Sequence, residues 1–264
     1  MKYFQSTIRF FVVSTLTFFI TATSHADDAD LAKLFQDRGL EGTIVISSLD
    51  GKTSYLHNSR RSETRLIPAS TFKIPNTLIA LEEGAVKNEK EVIKWDGKDR
   101  GFDAWNRDQT LETAFPVSCV WFYQELASRV GNQKYLAHLK KMGYGNEKTG
   151  HDVTTFWLEG DLKISAMEQI NFLKKLYKES LPYSKANIRL LKKIMIVEEN
   201  PQVTIRAKTG WGMRVNPQQG WYVGYVETKG QVWFFATNFE IRKKGDDAFR
   251  KEITMAALKA KGIL

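Results

Sequence analysis

The sequence predicts an α/β fold with a central, mainly antiparallel sheet, flanking helices and a helical subdomain inserted between the strands. Strand patterns lie at both ends of the chain after residue 26, and helical patterns fill the middle. Strands separated in this way cannot form two domains in series, so we expect them to pair into one sheet. The prediction is a single unit over residues 27–264, with the sheet part at 27–66 and 201–264 and the helical insertion at about 67–200.

Two hairpins are predicted from turn signals between apolar runs. In the first, GTIVISSL and KTSYLHN flank Asp50-Gly51, a pair that favours a tight hairpin turn. In the second, GWYVGYVET and QVWFFATNFE flank Lys229-Gly230. The segment QVTIRAKTG, which precedes the second hairpin, is predicted to be a further strand of the same sheet.

Helices are predicted where a period of 3.6 residues ends at a glycine or begins at a cap. FYQELASRVG and YLAHLKKMG each end at a glycine. SAMEQINFLKKLYKESL begins at Ser165, which can form a capping box with Glu168. The last segment, DDAFRKEITMAALKAKGIL, begins with two acidic residues and ends near Gly262.

The first 26 residues are typical of a secretory signal peptide. Lys2 and Arg9 precede the apolar run FFVVSTLTFFIT, and Ser24 and Ala26 form the small-x-small pattern of a cleavage site. The apolar run is too short to span a bilayer comfortably, since a spanning helix needs about 20 residues. We therefore expect cleavage after Ala26, export across the inner membrane to the periplasm, and no membrane anchor after processing.

Composition argues against several classes of protein. The formal charge is +9, but the lysines are scattered, so a solvated basic surface is favoured over nucleic-acid binding. A single cysteine, Cys119, excludes an intramolecular disulfide. The four histidines lack the spacing of a metal site, so no metal is expected. No pattern in the sequence indicates an oligomeric state.

The segment PASTFKIPN places Ser70 and Lys73 three positions apart at the start of an apolar helix. Residues at this spacing share a helix face, so the amine can reach the hydroxyl. A serine becomes a nucleophile when a base removes its proton, and lysine is a base only when it is neutral. The same string also fits a helix start followed by a lysine that extends to solvent. It indicates catalysis only where its context agrees.

The segment RAKTGWG provides part of the context that supports catalysis by Ser70 and Lys73. In RAKTGWG, Lys208, Thr209 and Gly210 finish a strand along whose edge a substrate carbonyl or carboxylate can lie. Gly210 permits a close backbone approach. The Trp211 amide is predicted to donate to an oxyanion beside the Ser70 amide.

Two other motifs have competing interpretations. In FPVSCVWFY, Ser118 lies just before a helix, where its hydroxyl can relay a proton or simply cap the helix. A second Lys-Thr-Gly string, Lys148–Gly150, lies in a polar turn with no strand before it, and we interpret it as a coincidence.

The set STFK, SCV, YGN and KTG resembles the class D (oxacillinase-type) serine β-lactamases. The four motifs occur in the family's order, within similar flanks such as FKIPN, KWDG, FWLEG and RAKTGW, over nearly all of residues 27–264. The resemblance implies a fold like that of serine β-lactamases and penicillin-binding proteins. It also implies a hydrolase that opens the β-lactam ring of penicillin-type antibiotics through a covalent acyl-enzyme and confers antibiotic resistance.

The resemblance further implies a modified lysine. In the family, the lysine of the first motif is carboxylated by CO2, and the carbamate is the general base for acylation and deacylation. Lys73 matches this lysine, and burial beside Phe72, Val120 and Trp157 would favour the neutral amine that adds CO2. Trp157 matches the tryptophan whose indole N–H holds the carbamate, although core packing alone also explains it. No other cofactor is expected.

The resemblance also assigns the substrate anchor. Arg250, in DDAFRKE, matches the arginine of the last helix that binds the substrate carboxylate, a task suited to the two-pronged guanidinium. Arg206 and Arg214 are alternatives. The motif Tyr144–Asn146 is interpreted as mainly structural, shaping the wall of the cleft.

The chain departs from the family pattern at two positions. Cys119 lies inside the second motif and is expected to be a small apolar filler, not a nucleophile. Trp121 stands where many members have proline. Met213 resembles a methionine that bridges the cleft in some carbapenem-hydrolysing members, but its possible partners, Phe102 and Trp105, align uncertainly, so the bridge is not carried over.

Two related functions are alternatives to a hydrolase: a penicillin sensor that stays acylated, and a penicillin-binding transpeptidase. Sensors normally belong to larger membrane proteins, and transpeptidases usually keep an anchor. The predicted cleavable leader favours the free hydrolase.

Overall fold

Six strands of the described chain form one sheet. In chain order they are β1 (Gly42–Ser48), β2 (Ser54–His57), β3 (Ile196–Glu199), β4 (Val203–Gly212), β5 (Gln218–Thr228) and β6 (Gln231–Ile241). Their spatial order is β2-β1-β6-β5-β4-β3, and each neighbouring pair is antiparallel, which confirms the predicted sheet. The computed structural model describes Met1 and residues 27–264, so the predicted signal peptide lies outside the described residues.

Helices cover the sheet and fill the middle of the chain. They are α1 (Ala29–Gln36), α2 (Ser59–Glu63), α3 (Lys73–Glu82), α4 (Leu111–Ala114), α5 (Val120–Val130), α6 (Asn132–Met142), α7 (Ala166–Tyr177), α8 (Lys185–Ile194) and α9 (Phe249–Ala260). The capping box between Ser165 and Glu168 begins α7 as predicted. Gly143, in the left-handed conformation, ends α6. Among the described residues, none of the helices is both long enough and apolar enough to cross a membrane.

The sheet separates two apolar cores, which explains why β1 is buried along almost its whole length. On one face, Ile44 and Ile46 pack with α1 and α9. On the other face, Val45 belongs to a larger core that contains the buried sides of α3, α5 and α7. Helix α7 lies directly on β1, β5 and β6 and so joins the helical layer to the sheet.

Three elements differ from the prediction: α1 and α2 are helices within the part predicted as sheet, and β3 is a strand within the predicted helical insertion. Strand β3 begins at Ile196, whereas the sequence places the return of the sheet at residue 201. It is a short strand at the sheet edge, with three of its four residues exposed. Its sequence IVEE lacks the apolar alternation that identifies a half-buried strand.

Candidate active site

Ser70 lies in a strained turn that leads directly into α3. Residues Ala69–Phe72 form one turn of 3-10 helix, and Ala69 has φ +47°, a left-handed conformation that is uncommon for a residue with a side chain. The Thr71 hydroxyl donates to the Pro68 carbonyl at 2.7 Å and holds the turn closed. The turn presents the Ser70 side chain at the wall of a cavity while its neighbours are fully buried.

Gly210 of β4 lies against this nucleophile turn. A Cβ atom at this position would be 3.0 Å from both the Pro68 carbonyl oxygen and the Thr71 Cγ2 methyl. That is tighter than nine in ten Cβ contacts in proteins. The close approach expected from the sequence is therefore an approach of the strand to the nucleophile turn, which fixes the position of Ser70 relative to β4.

Lys73, the first residue of α3, is fully buried, with its Nζ 3.0 Å from the Ser70 Oγ. The amine does not extend to solvent, so the alternative interpretation of the motif is wrong. Within residues 27–264 no carboxylate forms an ion pair with it. Burial lowers the pKa of Lys73 to about 7. A large fraction of the amine is therefore neutral at neutral pH, as a base or a CO2 acceptor must be.

Two buried N–H donors near the start of α3 lack an acceptor among the described residues. The first is the Trp157 indole Nε1, whose ring stacks on Phe72 with 5.7 Å between centroids. The second is the Asn76 amide Nδ2. The Tyr135 hydroxyl donates to the Asn76 Oδ1 at 2.7 Å, so the NH2 group must point the other way. A buried donor without a partner costs about 1–3 kcal/mol. Anionic oxygens on Lys73 would provide acceptors, so the residues present fit a carbamate.

Ser118 lines the same cavity as Ser70 and also has a strained backbone, with φ +56°. Its hydroxyl accepts a hydrogen bond from the Lys208 amine. Cys119, and not Ser118, is the residue at the N-terminal boundary of α5, and no side chain caps that helix. The helix-capping interpretation of Ser118 is therefore wrong.

Lys208 is buried beneath the cleft floor. Burial, together with the positive charges of Lys73 and Arg250, holds the pKa of Lys208 well below its usual range. An amine in this position exchanges a proton with the Ser118 hydroxyl more readily than an exposed lysine does.

The end of β4 offers a free backbone edge. Ala207 donates its amide to the Met195 carbonyl at 3.0 Å, where β3 reaches its last contact with β4. Peptide groups alternate in direction along a strand. The amides of Thr209 and Trp211 therefore face the same side as that of Ala207, where none of the described strands pairs with them.

Arg250 projects from α9 across the end of β4. Its guanidinium lies over the Trp211 ring, 5.4 Å from the centroid, and donates to the Asp247 carboxylate at 3.0 Å and to the Gly210 carbonyl at 3.3 Å. Only 15% of the side chain is exposed. Burial lowers the pKa of Arg250 against the opposing effect of Asp247, and a guanidinium stays charged in proteins.

The two alternative arginines are less well placed. Arg206 pairs with Glu227 and donates to the Lys192 carbonyl, and it is not part of the cavity wall. Arg214 does line the cavity, but it pairs with Glu159 at 2.8 Å and is half exposed.

These groups converge on a cavity of about 710 Å³. Its wall contains Ser70, Arg100, Phe102, Trp105, Pro116, Val117, Ser118, Val120, Trp121, Gln124, Leu158, Thr209, Trp211, Met213, Arg214 and Arg250. Lys73, Lys208 and Trp157 lie just behind this wall. Sequence reasoning missed Arg100, Gln124 and Leu158, because no local pattern marks them and only the tertiary fold brings them to the cleft.

The motif Tyr144–Asn146 is structural, as predicted, but none of its residues lines the cavity, so the prediction that it shapes the cleft wall is wrong. Tyr144 is fully buried and packs edge to face against Phe72, with 5.8 Å between ring centroids. Asn146 instead binds the backbone of Lys163 and Asp161. The motif supports the nucleophile turn from below because its aromatic ring is drawn into the core.

The positions of Cys119 and Met213 show what these residues contribute. Cys119 is buried, and burial raises the pKa of its thiol to about 11, which suits a filler and not a nucleophile. Met213 and Phe102 are about half exposed and line the cavity, and Phe102 contacts Trp105 with 4.4 Å between centroids. No cluster of three metal-ligating side chains occurs in residues 27–264.

Comparisons with known proteins agree with this geometry. The family profile described as penicillin binding protein transpeptidase domain matches residues 41–259. The β-lactamase OXA-48 of Klebsiella pneumoniae is 42% identical over 230 residues, which cover 87% of each chain. The solved structure of the class D β-lactamase YbXI from Nostoc has a TM-score of 0.87 at 43% identity and covers 89% of this chain and 99% of that one. FUS-1 (OXA-85), a class D β-lactamase from Fusobacterium nucleatum subsp. polymorphum, has a TM-score of 0.87 at 36% identity and covers 90% and 99%.

Proposed function

The chain belongs to the class D serine β-lactamases, hydrolases that open the β-lactam amide bond and confer resistance, and on that premise we propose how its residues divide the chemistry. Ser70 is the nucleophile, and Lys73, carboxylated by CO2, is the site of the general base. The observation that carries this proposal is the buried Lys73 amine, which has no carboxylate partner and lies 3.0 Å from the Ser70 Oγ.

In the acylation step the Ser70 Oγ attacks the lactam carbonyl and its proton passes to the Lys73 side chain. Negative charge develops on the carbonyl oxygen, where the Ser70 and Trp211 amides are proposed to donate. The orientation of the Trp211 amide toward the free edge of β4 supports this assignment. One such donor contributes about a hundred- to a thousandfold in rate.

Ring opening requires a proton on the lactam nitrogen as the C–N bond breaks. Ser118 delivers it, because its hydroxyl is held by Lys208 at the cavity wall. Ser118 in turn takes up the proton that the Lys73 side chain received from Ser70, so the base is free again for deacylation. The product of this step is the acyl-enzyme on Ser70, which water then hydrolyses.

The Lys73 pocket is proposed to hold a carbamate. The group, once formed, supplies a general base that serves acylation and deacylation alike. Support comes from the neutral fraction of an amine whose pKa is about 7 and from the unpaired indole N–H of Trp157. Val120 and Leu158 line the cavity together with Ser70, and Val120 is proposed to support the carbamate.

The substrate carboxylate is proposed to bind at the end of β4. Arg250 and the Thr209 hydroxyl face the cavity there, and the buried Lys208 amine lies 3.4 Å from the Thr209 Oγ1. A guanidinium that is already held by Asp247 and Trp211 loses little conformational entropy when it binds an anion.

Export to the periplasm is the remaining part of the proposal, supported by the signal-peptide anatomy of residues 1–26. Expression of the full chain in a Gram-negative host, followed by N-terminal sequencing of periplasmic protein, tests it. A mature protein that begins at Asp27 is expected, and cytoplasmic protein that keeps Met1 would contradict it.

The deciding experiment is the time course of chromogenic cephalosporin cleavage by purified residues 27–264, in CO2-depleted buffer and after addition of bicarbonate. Sustained turnover that rises with bicarbonate is expected. A single stoichiometric burst would instead identify a penicillin sensor or a transpeptidase.

A second readout does not depend on activity. With ¹³C-labelled bicarbonate, NMR should detect one carbamate signal that Lys73→Ala removes. Lys52→Ala, which changes a lysine whose side chain is 86% exposed, should leave the signal in place. Turnover indifferent to bicarbonate, together with no such signal, would contradict the carbamate.

A further inference from the structure

Two walls of the cavity are built in the same way. On the sheet side, the Arg250 guanidinium lies 5.4 Å from the centroid of Trp211 and is held by Asp247 at 3.0 Å. On the opposite side, the Arg100 guanidinium lies 5.5 Å from the centroid of Trp121. There the Asp96 carboxylate holds it through two hydrogen bonds, of 2.8 and 3.0 Å.

The two guanidinium groups also have the same number of donors to spare. Arg100 gives three hydrogen bonds within the described residues, two to Asp96 and one to the Lys98 carbonyl at 3.0 Å. Arg250 also gives three, to Asp247 and to the Gly210 carbonyl. A guanidinium carries five N–H groups, so each has two left for a ligand.

The charge of the cavity wall is of one sign. Its charged side chains are Arg100, Arg214 and Arg250, and the wall contains no aspartate or glutamate. The carboxylates that hold these arginines are not among the residues of the wall. Asp96 is moreover shared, since the Lys98 amine is also within 3.9 Å of it.

The Arg100 platform is rigidly attached to the helical layer. The Trp121 indole donates to the Trp105 carbonyl at 2.7 Å, and the Trp105 indole donates to the Val117 carbonyl at 2.8 Å. The Arg100 amide donates to the Asn106 side chain at 3.1 Å. A cation that is fixed before the ligand arrives binds an anion at a smaller entropic cost.

We propose that Arg100, stacked on Trp121, is a second carboxylate subsite. It binds the side-chain carboxylate of dianionic β-lactams, such as α-carboxypenicillins, while Arg250 binds the carboxylate of the ring system. The inference rests on the proposed function, because it uses Arg250 as the first anchor. It adds a preference among substrates that the catalytic groups do not provide.

Arg100 is a better candidate than Arg214, the third arginine of the wall. Arg214 is 47% exposed and is held by one contact with Glu159, itself 42% exposed. Arg100 is 25% exposed, with two contacts to Asp96 and an aromatic ring beneath it. An exposed, mobile ion pair contributes little to binding.

The test compares benzylpenicillin with α-carboxybenzylpenicillin, which differ only by the side-chain carboxylate. The measured quantity is the ratio of kcat/KM for the carboxylated substrate to kcat/KM for the parent. We expect Arg100→Gln to lower this ratio about tenfold, mainly through KM, because a charge-assisted hydrogen bond is lost. Arg100→Lys should restore part of it.

Two control variants separate a specific contact from general charge. Lys98→Gln removes a positive charge from the same loop, but the side chain is 79% exposed and does not line the cavity, so the ratio should not change. An unchanged ratio in Arg100→Gln, with the protein folded by circular dichroism, would overturn the proposal. So would a drop in Arg214→Gln that equals or exceeds the drop in Arg100→Gln. If the wild type turns over neither penicillin, the result would count against the proposed function instead.

Discussion

The two ends of helix α3 carry ionisable groups in opposite situations. At its start, Lys73 is fully buried and has no carboxylate partner among residues 27–264. Just past its end, Glu83 accepts from Lys134 and bonds the His138 ring, both at 2.7 Å. Burial lowers the pKa of Lys73, whereas the pKa of Glu83 is lowered by its hydrogen bonds to Lys134 and His138.

The Glu83 end of α3 contributes to stability, whereas the Lys73 end provides reactive groups. The Glu83 cluster continues through the other His138 nitrogen to the Tyr183 hydroxyl at 2.9 Å, so its polar groups satisfy one another and fasten α3 to α6. Among residues 27–264, the Lys73 amine has no carboxylate partner and the Trp157 indole N–H has no hydrogen-bond acceptor. Such an unsatisfied arrangement costs folding free energy and is typical of active sites.

The largest effect should follow removal of the amine. Lys73→Ala is expected to lower kcat about a thousandfold, because it removes the site of the general base. Acyl-enzyme should accumulate, since deacylation depends on the same base. Mass spectrometry of the protein after incubation with penicillin measures this, and rapid deacylation by the variant would contradict the assignment.

A smaller loss should follow removal of the unpaired donor at the same end. Trp157→Phe keeps the aromatic packing on Phe72 but deletes the indole N–H. We expect kcat to fall about 10- to 100-fold, as for other groups that orient a catalytic residue. Excess bicarbonate should recover part of the loss, and a variant as active as the wild type in CO2-depleted buffer would contradict this role for Trp157.

Acid should inactivate the enzyme by protonating the Lys73 amine. Because the pKa of Lys73 is about 7, kcat/KM should fall about tenfold for each pH unit well below 7. The unfolded-state pKa is about 10.4, so the CO2-free enzyme should gain stability as the pH rises from 7 to 10. A pH–rate profile and thermal melts measure the two effects, and an acid limb centred near pH 4 would point to another group.

The opposite end should respond in stability and not in rate. Glu83→Gln is expected to lower the free energy of unfolding by about 1–3 kcal/mol, because the His138 and Lys134 partners lose a charged acceptor. The value of kcat/KM should stay within about twofold of wild type, in keeping with typical effects of distant substitutions. Urea unfolding and steady-state kinetics test this, and a catalytic loss without destabilisation would reverse the distinction between the two ends.

The smallest effect on activity should come from modification of Cys119, which lies between Ser118 and the start of α5. A maleimide should leave native activity unchanged, because Cys119 is buried and burial raises its thiol pKa to about 11. The same reagent should label the unfolded chain fully. Rapid native labelling with loss of activity would show that the second motif opens to solvent.

The sequence predicted those parts of the site whose arrangement depends on local spacing along the chain. The Ser70–Lys73 pair follows from helix geometry, and the strand that carries Lys208 follows from apolar alternation and turn residues. It failed where position depends on tertiary packing. The left-handed backbone of Ala69 and Ser118, the platform of Arg100 on Trp121, and the inward turn of Tyr144 have no signature in neighbouring residues.

The contact between Gly210 and the nucleophile turn has a consequence for the evolution of resistance. Every single-nucleotide change of a glycine codon that is not silent or a stop adds a side chain, and here its Cβ would press on backbone and on Thr71. A side chain at position 210 would therefore have to displace the nucleophile turn by a few tenths of an ångström. We therefore expect few tolerated resistance mutations against an inhibitor that binds β4 beside Gly210. An inhibitor that depends on contact with the half-exposed Met213 should allow many more.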